Sequence, residues 1–188
     1  MIGDDFAAVL AGARSGDRWA SERIYRDVAP LVIGYLRANG VREVDDVTSD
    51  VFVSMIQSLP KFNGDELGFR SWLLTIAHRR MVDAVRRSVG VQEESTPLDD
   101  LPERLLDVVD GEHDALTRLQ SKGVLAAIDA LTPDQRAALM LRILADLPVS
   151  DIGRVLGKPD SAVKALLRRG FASLRRTLEP NGVHPLEQ

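Results

Sequence analysis

No cysteine occurs anywhere in the 188 residues, which excludes a disulfide framework and any thiolate metal site. Aromatic residues make up only 5% of the chain, and β-branched runs are few. Alanine, leucine and arginine are abundant instead, a composition that points to helices. The histidines, His78, His113 and His184, are scattered, so no Ser-His-Asp spacing or histidine metal motif appears. There is also no glycine loop of the phosphate-cradling or dinucleotide-binding kind. These gaps argue against an enzyme and imply neither a cofactor nor a metal. No apolar run approaches the ~18 residues of a membrane span. The opening MIGDDFAAVL lacks the basic start of a signal peptide, so the expected setting is cytoplasmic, with no membrane insertion.

The chain also lacks an overall basic charge, since its formal net charge is −4. That total hides a division. Between Glu93 and Asp114 stand nine acidic residues against the single Arg104, a net of −8, so the remainder of the chain carries +4. Charge asymmetry of this kind separates segments with different partners.

The stretch Leu131–Leu178 constrains function most. Thr132-Pro133-Asp134-Gln135 has the form of a capping box with proline at the first helical position. Leu139, Ile143 and Leu144 then set a helical period, which predicts a helix from Pro133 to about Ala145. After Asp146-Leu147-Pro148, Ser150 is the expected cap of a short helix carrying Ile152, Val155 and Leu156. Gly157-Lys158-Pro159 reads as a turn, and Asp160 as the N-cap of a last helix. Gly153 and Gly157 suit a steep helix crossing and a positive φ respectively. The last helix is expected to bury Val163, Leu167, Phe171, Leu174 and Leu178 and to show Lys164, Arg168, Arg169, Arg175 and Arg176 elsewhere. No acidic residue lies between Ser161 and Leu178, an asymmetry suited to a groove lined by phosphates.

From the start, residues 4–40 read as two or three packing helices, with Pro30 expected to interrupt the second. Asp45 to Ser58 forms an amphipathic helix whose inner face is Val47, Val51, Met55 and Ile56, with Asp46 and Asp50 outside. A polar loop, Lys61 to Gly68, precedes a long helix from Phe69 to Val89. On that helix Trp72, Thr75, Arg79 and Arg86 share a face, while Arg70, Arg80 and Arg87 add charge. An aromatic ring heading a basic stripe suits unpaired nucleic acid, although a core role for Trp72 fits the spacing equally well. From Gly90 the acidic, proline-containing segment reads as an extended tether. Helix resumes from Asp114 to Ala130. The expected architecture is all-α: two small helical domains joined by an acidic flexible linker, the second containing a helix-turn-helix.

These segments together resemble a bacterial RNA polymerase sigma factor of the extracytoplasmic-function group, within the sigma-70 family. Asp45-Asp46-Val47-Thr48-Ser49-Asp50-Val51-Phe52 is similar to the family's acidic helix that docks on the polymerase clamp. Phe62-Asn63-Gly64, with Phe69 through Arg80 and Asp83 through Arg87, resembles the part that melts and reads the −10 element. Leu131 to Arg136, and Leu156 to Pro159 with Val163-Lys164, resemble the −35 reader. The resemblance implies a region 2-like domain over 1–89, an acidic linker over 90–113, a region 4-like domain over 114–180 and a disordered tail over 181–188.

It also implies roles for residues. Asp46, Asp50, Phe52 and Met55 would hold core polymerase. Phe62, Asn63, Gly64, Trp72, Arg79, Arg80 and Arg86 would meet −10 DNA, and Ser161, Lys164, Arg168 and Arg169 would meet −35 DNA. Partners would be core RNA polymerase through its clamp and flap, promoter DNA both duplex and single-stranded, and an anti-sigma factor. The chain departs from the family at Ala162, Ala165 and Leu166, where Thr and Ser-Arg are frequent, and at His78-Arg79, where Arg-Asn is commoner. Leu166 is then free to touch a thymine methyl or a regulator. The competing reading is a stand-alone helix-turn-helix regulator, which leaves the Trp72 stripe and the acidic segment without purpose.

Overall fold

A computed structural model describes residues 2–91 and 122–178, and among these every regular element is helical. Residues 92–121, which hold all but the first two residues of the expected acidic linker, and the tail after Leu178 lie outside the described residues; Gly90 and Val91 belong instead to the long helix. A single 3₁₀ turn, Gly3–Asp5, leads into α1 (Phe6–Arg14) and α2 (Arg18–Ala38). The Asp17 side chain caps α2 by accepting from the Trp19 amide at 2.8 Å.

Pro30 does not interrupt α2, which runs continuously past it. The reason is packing on both sides. Ile24 and Val28 before the proline, and Val32, Tyr35 and Leu36 after it, are all buried. Each such side chain contributes about 1.5–3 kcal/mol, which together outweighs the ~3 kcal/mol helix penalty of one proline.

Helix α3 (Val44–Ser58) passes through a 3₁₀ turn, Leu59–Lys61, and a short loop into α4 (Glu66–Val91). Asp65 accepts the Gly68 amide at 2.7 Å and so starts α4. The Glu66 carboxylate accepts the Ile2 and Gly3 amides, fixing the N-terminus beside the same loop. Of the expected inner face of α3, Val47, Val51 and Met55 are buried, but Ile56 is 60% exposed. Met55 and Ile56 are about 100° apart around the helix, and the core against α4 takes only the first.

The second half comprises α5 (Lys122–Asp129), α6 (Pro133–Ala145), α7 (Val149–Leu156) and α8 (Asp160–Leu178). The capping box of α6 forms in both directions between Thr132 and Gln135. Arg136 donates to the carbonyls of Ile128 and Asp129, tying α6 to the end of α5. Ser150 does not cap α7, which begins after Pro148. Its hydroxyl instead donates to Asp151 within the helix. Gly157 adopts φ +63° and closes α7, as a turn between two helices requires. Helices α5, α6 and α7 all pack on α8.

The buried stripe of α8 is rotated from the expected one. Val163, Leu166, Gly170 and Leu178 are buried, whereas Phe171 is 47% exposed. Gly170 sets the rotation, because a Cβ there would lie 2.6 Å from Cδ1 of the fully buried Leu139. Helices α6 and α8 therefore approach closely at Gly170, and Leu166, one turn earlier, is buried as well.

The two halves also pack on each other. Helix α6 lies against α2 and α7 against α4, and the buried residues of both halves form one continuous cluster.

Candidate nucleic-acid interface

The first surface is built around the loop between α3 and α4. Phe62 turns inward, its ring centroid 5.0 Å from Trp72 and 5.4 Å from Phe69. Phe6 extends the group, 5.6 Å from Phe69. The ring fits beneath the loop because residue 64 has no side chain; a Cβ on Gly64 would sit 3.0 Å from Phe62 Cζ. Phe62 and Trp72 are thus partly structural, and Asn63 and Gly64 are the exposed members of the loop triplet. Between loop and helix opens a cleft of about 410 Å³, floored by Phe62 and Trp72 and edged by Lys61, Asn63 and Arg154. An aromatic floor with cationic edges can take a flat base and its phosphate.

Along α4 from this cleft, Arg79 and Arg86 are exposed. Trp72, Arg79 and Arg86 are seven residues apart, about 10.5 Å at each step, and stay on one face. Arg80 has a different position. Its Nε and Nη2 donate to Ser54 Oγ at 3.1 and 2.7 Å, and Ser54 in turn donates to the Asp50 carbonyl. Arg80 therefore braces α4 against α3 instead of joining the stripe. His78 is half-buried, and its Nδ1 lies 2.9 Å from the Tyr35 hydroxyl. Burial holds the His78 pKa below the usual histidine range, with the Asp134 carboxylate opposing and the Lys158 ammonium reinforcing that shift.

The second surface is the outer face of α8. Ser161, Lys164, Arg168 and Arg169 are all exposed there, while Val163 and Leu166 pack inward. Leu166 is only 7% exposed, so it meets neither a thymine methyl nor a regulator. It is a core residue of its own domain. Gly153 lets α7 cross under α8, since a Cβ there would lie 2.7 Å from the Lys158 carbonyl. Lys158 itself pairs with Asp134 at 2.9 Å, joining the turn to α6.

The third surface is on α3. Asp46 and Asp50 are exposed, as a docking helix needs. Phe52 and Met55 are not, being 7% and 4% exposed. Phe52 packs on Tyr25 with ring centroids 4.6 Å apart. The apolar groups that do reach solvent are Tyr25, Val53 and Ile56. Sequence reasoning missed them because Phe52, Val53, Met55 and Ile56 cannot be sorted into inner and outer faces without knowing where α2 lies.

Comparison with known proteins places the chain in a family. Residues 24–89 match the model of sigma-70 region 2, and residues 121–174 match that of sigma-70 region 4. The ECF RNA polymerase sigma factor BldN of Streptomyces coelicolor is 29% identical over 172 residues, covering 88% of this chain and 63% of its own length. The ECF RNA polymerase sigma factor SigD of Mycobacterium tuberculosis is 28% identical over 186 residues, covering 93% of this chain and 84% of its own. Among solved structures, the fold is similar to CnrH in complex with the cytosolic domain of CnrY, with a TM-score of 0.65 at 23% identity, covering 95% of this chain and 100% of that one. By its two matched regions and these relatives, the chain belongs to the sigma-70 family of RNA polymerase sigma factors, in the extracytoplasmic-function group.

Proposed function

We propose that the protein is an alternative sigma factor that joins core RNA polymerase, reads −35 and −10 promoter elements and promotes DNA opening. One observation carries the reading: a single chain presents an exposed basic helix for duplex DNA and, on a separate element, an aromatic-floored cleft continued by Arg79 and Arg86. Residues 1–89 serve polymerase binding and −10 recognition, and residues 114–180 serve −35 recognition. Ser161, Lys164, Arg168 and Arg169 face the −35 groove. Asn63, Trp72, Arg79 and Arg86 hold the displaced strand, with Phe62, Gly64 and Arg80 shaping the surface. Asp46 and Asp50 meet the polymerase clamp together with Val53 and Ile56, while Phe52 and Met55 support them from beneath.

The work is done by binding and needs no chemistry from this chain. Contacts to an extruded single strand offset the unstacking of a few base-pair steps, each about 1.4 kcal/mol. The protein acts in the cytoplasm, where its polymerase and promoters are. Among the described residues no helix is long and apolar enough to cross a membrane. The CnrH structure holds CnrY, and the sigma factor RpoE of Bartonella quintana is seen with the anti-sigma factor NepR. A protein regulator of this kind is proposed here too, covering the α3 surface.

Fluorescence anisotropy with labelled promoter DNA tests the reading. Tight, sequence-dependent binding should require core polymerase. Equally tight duplex binding by the chain alone would favour a stand-alone helix-turn-helix regulator.

A further inference from the structure

The loop between α3 and α4 is held from behind by the segment Ile2–Arg14. Two successive acids close its exit in opposite directions. Asp65 accepts the Gly68 amide, whereas the Glu66 carboxylate turns back and accepts the Ile2 amide at 2.8 Å and the Gly3 amide at 3.1 Å. Both are charge-assisted bonds to one carboxylate. Ile2 is buried, and Gly3 makes the turn that follows with φ +70°. At the loop's entry, Arg14 Nε reaches the Leu59 carbonyl at 3.5 Å. The segment is anchored in its own right, since Phe6, Val9 and Leu10 are buried and α1 packs along α2.

Between these ends the loop is a wall with open space on both sides. One side is the cleft floored by Phe62 and Trp72. The other is a groove of about 610 Å³ between the loop and α1, and Asn63 lines both. Glu66, Gly3 and Arg14 border the groove and not the cleft. Helix α1 also supports the cleft floor through Phe6 and Phe69, the latter ring lying 5.4 Å from Phe62 and 5.5 Å from Trp72.

We infer that Glu66 is a positioning residue of the −10 reader. By gripping the Ile2–Gly3 backbone it fixes the exit of the loop, with Arg14 at the entry, and so sets where Asn63 and Gly64 stand beside the cleft. The inference rests on the sigma-factor reading above and adds to it residues 2–14, which lie outside the region 2 match over 24–89. A loop pinned at both ends is pre-organised and gives up little freedom on meeting its base. Once one end is released, the loop can yield into the groove and accept a poorly fitting base, so selectivity falls before binding does.

Glu66→Ala, Glu66→Gln, a deletion of residues 2–5 and the deletion combined with Glu66→Ala test this in the full chain. Hydrogen exchange is measured first, on the free protein. The Phe62 and Gly68 amides are hydrogen-bonded in the intact loop, and Glu66→Ala should speed their exchange at least about tenfold without changing α6 to α8. Unchanged exchange would overturn the inference.

Open complexes with core polymerase are then followed by permanganate reactivity of unpaired thymines. The templates are a promoter that the unaltered chain opens and versions of it substituted singly in the −10 element. The ratio between them is the −10 selectivity, and Glu66→Ala and the deletion should each lower it at least about tenfold. Glu66→Gln should fall between, because its amide oxygen replaces only one of the two acceptors. The combined variant should be no worse than either alone, as for partners in one interaction. A loss equal on every template, or losses that multiply in the combined variant, would overturn the inference, since nonspecific destabilisation gives that pattern. Absence of open complexes even with the unaltered chain would instead sink the sigma-factor reading and leave the Glu66 brace to stand or fall on the exchange data.

Discussion

The Tyr35 hydroxyl and His78 Nδ1, 2.9 Å apart, join α2 to α4 at a point that also feels Asp134 and Lys158 of the second domain. Burial lowers the affinity of the imidazole for a proton in the folded chain, so on acidification the unfolded chain takes up that proton first. His78 therefore leaves stability intact above pH of about 6.5 and erodes it as the pH falls from there toward the lowered folded-state value. Thermal melts across that window should show a loss in the wild type that His78→Gln reduces, because glutamine keeps a partner for Tyr35 without titrating. Parallel pH profiles would contradict this.

Met55 and Ile56 are adjacent in sequence and opposite in role. Met55→Ala should cost about 2–5 kcal/mol of stability, as for a buried large-to-small change. Ile56→Asp should leave the melting temperature nearly unchanged and weaken core polymerase binding at least tenfold, about 1.4 kcal/mol. Chemical denaturation and an equilibrium binding assay on both variants separate the two effects. Unimpaired binding by Ile56→Asp would remove that residue from the docking surface.

Gly153→Ala would normally gain about 1 kcal/mol of helix propensity. Here the new methyl would meet the Lys158 carbonyl at 2.7 Å, a backbone atom that cannot swing aside. Overpacking of this kind costs about 1–3 kcal/mol, so the variant should be destabilised and its −35 affinity reduced. A variant as stable as the wild type would show that α7 and α8 cross farther apart.

Lys164→Ala and Arg168→Ala act on exposed cations and should spare the fold. Each removes a phosphate contact, so the slope of log affinity against log salt should become shallower by about 0.9 per residue lost. Anisotropy titrations of the polymerase complex on −35 DNA at several salt concentrations measure this. An unchanged slope would place these residues away from the groove.

Much of the second domain was legible because its determinants are local. The Thr132–Gln135 capping box, the Gly157 turn and the Gly153 crossing depend on residues within one or two helical turns. The misreadings share another cause. Propensity places Pro30, periodicity places Ile56 and the family's pattern places Leu166, and each is decided by which neighbouring helix arrives at that face. The exposed basic face of α8 could be read from charge alone. Arg154 at the cleft could not, because nothing in its local sequence connects α7 with a loop some ninety residues earlier. The Arg80–Ser54 contact shows the same limit, since it joins side chains 26 residues apart in the chain.

The most direct measurement is run-off transcription with purified core polymerase on a pooled promoter library, with and without this protein. The account predicts protein-dependent transcripts from templates that share −35 and −10 sequences, and reduced yield from those templates with Arg79→Ala. A folded protein that binds core polymerase yet adds no transcripts above the core-alone control would contradict it.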